Sequence, residues 1–386
     1  MIYFDNSATS LIKPDSVKNA VYNAISNCGG SGRGAYEASL NSNRVLFNAR
    51  KKISALFNCD NPSRVSFSHN ATEALNIAIL GMFKGKSGRI ITTLAEHNSV
   101  LRPLYRLVED EDIELDFLPL DENEAVRVDR LEEIIKNDTL GVVCTHISNV
   151  TGNITDVKRV GEICFCNKIP FIVDASQSAG CHHIDMKDMK IDILCFTGHK
   201  SLFGVQGTGG LCVREGVEIE PLIVGGSGIH SFSHHNPKDM PEKLEYGTPN
   251  AHGLSGLIAG IDYINEVGLD KIIEKEIALK NEFISGIENI KNVVIYGDYK
   301  SSHHAGVVSI NIGNIDSASI SNLLYTNYEI CTRSGIHCAP LMHTHLNTEN
   351  QGAVRFSFSY LNTLEEVHYV VNAVKEISSL YDKGEL

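Results

Sequence analysis

The chain has 386 residues, 42% of them apolar and 21% charged, enough for a large core and a second, smaller domain. Lys and Arg number 34 against 47 Asp and Glu, a formal charge of −13, which excludes a general attraction for nucleic acid or an anionic membrane surface. No apolar run reaches the roughly 18 residues of a membrane span. No leader pattern opens the chain, and the 10 cysteines sit mostly in apolar runs without a CxxC. They read as small buried hydrophobes rather than a disulfide framework, and the expected compartment is a reducing cytoplasm.

Amphipathic helical patterns alternate with short apolar runs along the first two thirds of the chain. Helices are expected to begin near Pro14-Asp15, near Ser39, at Thr72-Glu73, near Asn98, at Val128-Asp129, after Thr155-Asp156 and near Ser255. Asp129 and Thr155 read as N-caps. The apolar runs at 64–67, 89–93, 140–146, 170–173, 191–196 and 210–213 read as buried strands. Continuous apolar strands between helices indicate a mostly parallel sheet covered on both faces, an α/β architecture. Beyond residue 255 the texture changes. Helical stretches at 256–266 and 270–288 precede strands at 293–296 and 306–312, a helix at 317–327, a strand at 353–358 and a last helix at 363–381. The expected division is a large domain over 15–255 and a small α+β domain over 256–386, with residues 1–14 packing near the latter.

In a doubly wound sheet, ligands bind beyond the carboxyl ends of the strands. After 64–67 comes Ser68-His69-Asn70-Ala71-Thr72-Glu73-Ala74. This turn is either a plain helix cap or, through its N–H groups and the Thr72 hydroxyl, a phosphate cradle. Asp174 ends another apolar run. A carboxylate there is costly unless it is functional or satisfied by a helix N-terminus. Lys200 closes Thr197-Gly198-His199-Lys200 after 191–196. It is either a surface-loop lysine or a desolvated amine of the kind that forms Schiff bases. The glycine-rich stretch 204–210 lets backbone approach a ligand or partner.

A phosphate turn, a strand-end aspartate and a strand-end lysine together match the needs of pyridoxal 5'-phosphate. The lysine takes the aldehyde, and the aspartate keeps the pyridinium nitrogen protonated so that the ring accepts electrons from the substrate. Thr72 and Thr197 are natural phosphate ligands. His97, in Ala95-Glu96-His97-Asn98, can stack on the ring; alone it would read as a helix-capping or core histidine. A second constellation is Arg333-Ser334-Gly335-Ile336-His337-Cys338-Ala339-Pro340. Cations beside Cys338 would favour its thiolate, and the other reading is a buried structural cysteine. Arg355 can clamp a substrate carboxylate bidentately.

These segments resemble the cysteine desulfurase and selenocysteine lyase family, class V aminotransferases of pyridoxal-phosphate fold type I, over nearly the whole chain. Tyr3-Phe4-Asp5-Asn6-Ser7-Ala8-Thr9 resembles the family's opening segment and implies Ala8 near the substrate. Asn70-Ala71-Thr72-Glu73-Ala74 resembles the phosphate turn, which brings Ala71 and Thr72 to the cofactor. The resemblance further implies His97 as the ring-stacking residue, with a catalytic role. It places Asn149 near substrate and cofactor hydroxyl, Asp174 on the pyridinium, and Gln177 on the phenolic oxygen. Thr197 and His199 fall on the phosphate, and Lys200 is the catalytic lysine. Glu245-Tyr246-Gly247-Thr248-Pro249-Asn250 implies that Thr248 reaches the phosphate of a neighbouring subunit, hence a homodimer with shared sites. Arg333 to Cys338 resembles the cysteine loop of the SufS-like branch, with Arg333 and Arg355 toward the substrate.

The activity implied is conversion of L-cysteine to L-alanine, with sulfur left on Cys338 as a persulfide for an acceptor protein. L-selenocysteine is the rival substrate, and transamination or epimerisation the rival reactions. His343 and His345 read as a solvated loop rather than a metal site.

Overall fold

The computed structural model describes residues 1–32, 34–59 and 61–386. In chain order the first elements are β1 (Ile2–Tyr3), α1 (Asp15–Asn27), α2 (Glu37–Leu56), β2 (Val65–Ser68), α3 (Ala71–Phe83), β3 (Gly88–Thr93), α4 (Asn98–Asp110) and β4 (Ile113–Leu118). Then come α5 (Leu131–Ile134), β5 (Thr139–Thr145), α6 (Val157–Asn167), β6 (Phe171–Asp174), β7 (Ile193–Thr197), β8 (Gly209–Val213) and α7 (Ala251–Val267). Among the described residues, seven strands form one sheet in the order β2-β8-β7-β6-β5-β3-β4. The pairs from β7 through β4 are parallel, and β8 runs antiparallel to both of its neighbours.

Period-two alternation sends successive side chains of each strand into different layers. Val142 and Cys144 of β5, Phe171 and Val173 of β6, and Leu194 and Phe196 of β7 enter the core shared with α1, α2, α6 and α7. Val143, Ile172, Ile193 and Cys195 enter the opposite core, built on α3 and α4. Both faces are dry, which is why these strands read as unbroken apolar runs. The buried cysteines Cys144, Cys164, Cys195 and Cys212 are free thiols serving as core side chains, and burial raises the pKa of each.

The edge strand β4 is absent from the sequence reading. Its residues Ile113-Glu114-Leu115-Asp116-Phe117-Leu118 alternate apolar with charged, the pattern of a strand with one wet face rather than a buried run. Arg89 on β3 ties it down by pairing with Glu114 and Asp116. The two expected N-caps also fall elsewhere. Asp156, not Thr155, caps α6, its side chain accepting the Arg159 N–H at 3.0 Å. Asp129 lies inside a single 3-10 turn and pairs with Arg127 instead of capping a long helix. The helix expected near Ser255 begins at Ala251, because Asn250 accepts the Gly253 N–H at 2.9 Å.

The remaining elements are α8 (Leu269–Ile287), β9 (Val293–Tyr296), β10 (Val307–Ile312), α9 (Ser317–Tyr328), β11 (Ile330–Cys331), α10 (Pro340–His345), β12 (Val354–Ser357) and α11 (Leu364–Asp382). An antiparallel sheet in the order β12-β10-β9 packs on α8, α9 and α11 through Phe283, Ile310, Phe356 and Val374. The chain start joins this unit: β1 pairs in parallel with β11, and Phe4 lies in its core. Leu254, Leu257, Ile261 and Ile264 of α7 lie in the core of the large sheet, whereas Leu279 and Phe283 of α8 lie in that of the small one. Among the described residues no helix is long and apolar enough to cross a membrane.

Candidate active site

Strand order reverses between β3 and β5, since β4 lies outside β3 while β6 and β7 follow β5 on the other side. A crevice beyond the carboxyl ends is expected at such a point. A cleft opens there, lined by Asn70, Ala71, Thr72, His97, Ser99, Thr145, Asn149, Asp174, Ser176, Gln177, Thr197, His199 and Lys200. One side is the start of α3. Asn70 caps it by accepting the Glu73 N–H at 3.0 Å, and the preceding N–H groups of Ala71 and Thr72 have no acceptor within the helix. Strand β8 passes close behind this turn. A Cβ on Gly209 would sit 2.8 Å from the Asn70 backbone, so only glycine fits there. The Thr197 hydroxyl at the end of β7 is buried without a hydrogen-bond partner.

Lys200 follows in the next turn and is partly accessible from the cleft. Desolvation lowers its amine pKa to about 8; the nearby Arg355 and Arg333 act the same way, and Asp174 opposes them. The peptide before it is pinned. The His199 carbonyl accepts from the Ser10 N–H at 3.1 Å, the Thr9 and Ser10 hydroxyls at 3.2 and 3.1 Å, and the Lys13 ammonium at 3.0 Å. Asp174, almost fully buried, holds the Ser176 N–H at 2.8 Å through Oδ1. Its second oxygen takes no hydrogen bond from the described residues.

His97 is the N-cap of α4. Its Nδ1 accepts the Ser99 N–H at 3.0 Å, which leaves the ring proton of the neutral imidazole on Nε2. Burial pulls its pKa down to about 4, with Lys200, Arg333 and Arg355 adding to the shift and Asp174 resisting it. His97 is thus both a helix cap and a cleft residue.

The cysteine loop is tied to this cleft at two points. The Cys338 carbonyl accepts the Asn98 N–H at 2.7 Å, and the His337 carbonyl accepts from Asn149 Nδ2 at 2.7 Å. Cys338 is exposed and sits at φ +57°, with His337 before it at φ +51°. His337 itself is buried against His343, and burial together with Arg355 drives its pKa well below the ordinary value. It is neutral near pH 7 and supplies no cation to Cys338. The segment with His343 and His345 is the short helix α10 rather than a solvated loop. His343 is fully buried, bonded to His337 and Thr348, because the cysteine loop needs an interior partner.

Arg355, on β12, is 2% exposed. Its Nη1 donates to the Asn149 carbonyl at 3.0 Å and its Nη2 to Asp5 Oδ1 at 2.9 Å, while Nε has no partner. Its backbone pairs with that of exposed Arg333.

The model of the aminotransferase class-V family matches residues 2–370. The chain belongs to that family. A protein of Methanothermobacter thermautotrophicus named "Probable cysteine desulfurase" is 34% identical, over 91% of this chain and 88% of its own length. One of the same name from Pyrococcus abyssi is 33% identical, over 98% of this chain and 94% of its own. The solved apo structure of cysteine desulfurase from Thermococcus onnurineus NA1 superposes with a TM-score of 0.92 at 33% identity, covering 98% of this chain and 94% of that one. The α/β fold with its smaller C-terminal sheet matches that structure.

Besides Cys338, Arg333 and Arg355, two further residues named for this site, Ala8 and Thr248, lie outside the cleft lining. Ala8 occupies the turn after Asp5, next to Ser7, whose carbonyl accepts from Gln177 Nε2 at 3.2 Å. Thr248 lines neighbouring depressions with Phe67, Ser68 and Tyr246, beside the bidentate pair of Arg50 and Glu245.

Sequence reasoning passed over Glu96, although it sits inside the motif that contains His97. It is fully buried. Oε1 accepts from the Thr93 hydroxyl at 2.7 Å and the Thr145 N–H at 2.9 Å, while Oε2 has no partner. Burial, with Asp174 nearby, raises its pKa from 4.5 to about 8, so it is a neutral acid at pH 7. The folded state then holds a proton that the unfolded state releases, so this contribution to stability is lost as pH rises from about 4.5 through about 8. The buried histidines titrate alike in the wild type and a Glu96 variant, so the difference in slope between the two isolates Glu96. Glu96→Gln is expected to shallow the decline between about pH 6.5 and 8 by up to about 1.4 kcal/mol per pH unit. Urea unfolding of both proteins at the two ends of that window checks it; equal slopes would mean that Glu96 is ionised in the fold.

Proposed function

We propose that this protein is a pyridoxal 5'-phosphate-dependent cysteine desulfurase that transfers the sulfur of L-cysteine to Cys338. The observation that carries this reading is an exposed cysteine on a loop bonded to both the His97 and Asn149 turns of the Lys200 cleft. The cleft suits the cofactor. A buried hydroxyl without a partner at Thr197, unclaimed N–H groups at Ala71 and Thr72, and a carboxylate with a vacant oxygen are donors and acceptors awaiting a polar ligand.

Thr197, Thr72, His199 and the start of α3 would hold the phosphate. Asp174 would pair with the pyridinium nitrogen, His97 would cover the ring, and Asn149 and Gln177 would meet its hydroxyl. When bound, the cofactor supplies an aldehyde for Lys200 and a ring that accepts electrons from the substrate Cα. Lys200, with its amine pKa near 8, can hold and return a proton at neutral to mildly alkaline pH. Arg355 orients the substrate carboxylate. The Cys338 thiol then takes the substrate sulfur: the C–S bond breaks, an S–S bond forms, and the electron pair and proton stay with the fragment that becomes alanine. No external oxidant is required.

A homodimer belongs to this proposal. Thr248 does not line its own cleft, exposed Phe47 borders the same depression as Thr248, and Val224 and a fully exposed Phe232 offer further apolar surface for a second copy. The short cysteine loop supports the SufS-like branch, with an acceptor protein clearing the persulfide.

The test is L-alanine release by the purified protein given L-cysteine, with and without a thiol reductant. Alanine that rises with reductant is the expected result. Release from L-selenocysteine alone would move the assignment to a lyase. A 2-oxo acid or α-proton exchange without alanine would move it to another class V reaction.

A further inference from the structure

Arg355 already has an anionic partner. Asp5 Oδ1 lies 2.9 Å from Nη2, while Nη1 donates to the Asn149 carbonyl. Removing water from a guanidinium is costly, and an adjacent carboxylate offsets that cost. The pairing also shapes what else can bind. The Asp5 backbone is fixed, its carbonyl accepting the Ala8 and Thr9 N–H groups at 3.1 and 3.3 Å, and Asp5 bridges to Ser357. Its side chain is 21% exposed while that of Arg355 is 2% exposed, so the carboxylate can turn toward solvent and the guanidinium cannot follow. The Arg355 Nε is buried beside this pair without a hydrogen-bond partner.

We propose that Asp5 is a specificity and release residue: it occupies Arg355 in the resting site and yields the guanidinium to the α-carboxylate of the amino-acid ligand. This rests on the reading of Arg355 as the carboxylate site. Two carboxylates on one guanidinium repel, so an entering amino acid trades places with Asp5 instead of joining it. Asp5 reclaims Arg355 when the product departs, which keeps alanine from lingering. Ligands without a carboxylate cannot make the trade.

The experiment measures the affinity of the holoenzyme for L-alanine by calorimetry, with L-alaninamide as the ligand that lacks the carboxylate. Asp5→Asn keeps the shape and a hydrogen-bonding oxygen but drops the charge. Its L-alanine affinity is expected to rise about tenfold, the equivalent of about 1.4 kcal/mol, and its affinity for L-alaninamide to stay the same. Should Asp5→Asn fail to fold, Asp5→Ser must show the same tightening. Unchanged or weaker alanine binding overturns the proposal and leaves Asp5 as a support for Arg355. Arg355→Gln separates the two levels. If it binds L-alanine as the wild type does, the carboxylate site itself is wrong and the Asp5 role falls with it. If it binds more weakly while Asp5→Asn is unchanged, only the Asp5 role falls.

Discussion

Lys200→Ala is expected to lower L-alanine release from L-cysteine by about a thousandfold or more, the scale of losing a positioned general base, with little change in thermal stability. Lys200 is partly accessible, not a core side chain, so its truncation leaves no cavity between packed layers. The carbonyl of the preceding residue stays held by Thr9, Ser10 and Lys13 whatever stands at position 200. What disappears is an amine whose pKa of about 8 lets it exist in both protonation states near neutrality. Lys200→Arg should fail equally, because a guanidinium stays charged and cannot accept the proton. Alanine assays on both variants, alongside melting curves, check the prediction. Substantial turnover by Lys200→Arg would show that Lys200 contributes charge alone.

The elements and residues legible in the sequence share a physical cause. Strands buried on both faces must be apolar throughout, so a charged residue closing such a run stands out, and Asp174 and Lys200 follow directly. His97 follows β3 in the same way, and its capping role coexists with its place in the cleft. Strand β4 escaped because an edge strand alternates, and its charges resemble those of a loop. Thr155 and Asp156 are both able cappers and only packing selects between them, while the turn at Asp129 is too short to need a cap. Asp5 gave no local signal. Its partner lies 350 residues away, and the pairing exists only because the segment after β1 bridges to the end of β12 in the small unit. His343 is illegible for a related reason: its buried contact with the His337 ring is a tertiary one that no spacing rule records.

Cys338→Ser is expected to abolish alanine release from L-cysteine while cofactor retention and thermal stability stay at wild-type levels. Two of the ten cysteines are exposed, Cys338 and Cys166, so exposure alone does not choose the nucleophile. Position does. The backbone of Cys338 is bonded to the first residue of α4, next to His97, whereas Cys166 lies in the last turn of α6, among the helices that cover the sheet. The φ of +57° at Cys338 and +51° at His337 holds the loop in a conformation that non-glycine residues adopt at a cost of about 1–3 kcal/mol. Buried hydrogen bonds from His343 to His337 and Thr348 stabilise that conformation. Serine keeps these contacts, because the wild-type contact here is made by the backbone, and removes only the sulfur. A hydroxyl is a poor nucleophile toward sulfur and cannot form a persulfide. After turnover without reductant, peptide mass spectrometry should find one added sulfur atom on Cys338 and none on Cys166. Alanine release at the wild-type rate by Cys338→Ser would mean that sulfur leaves the substrate without enzyme capture, and the loop's attachment to the cleft would then serve acceptor docking alone.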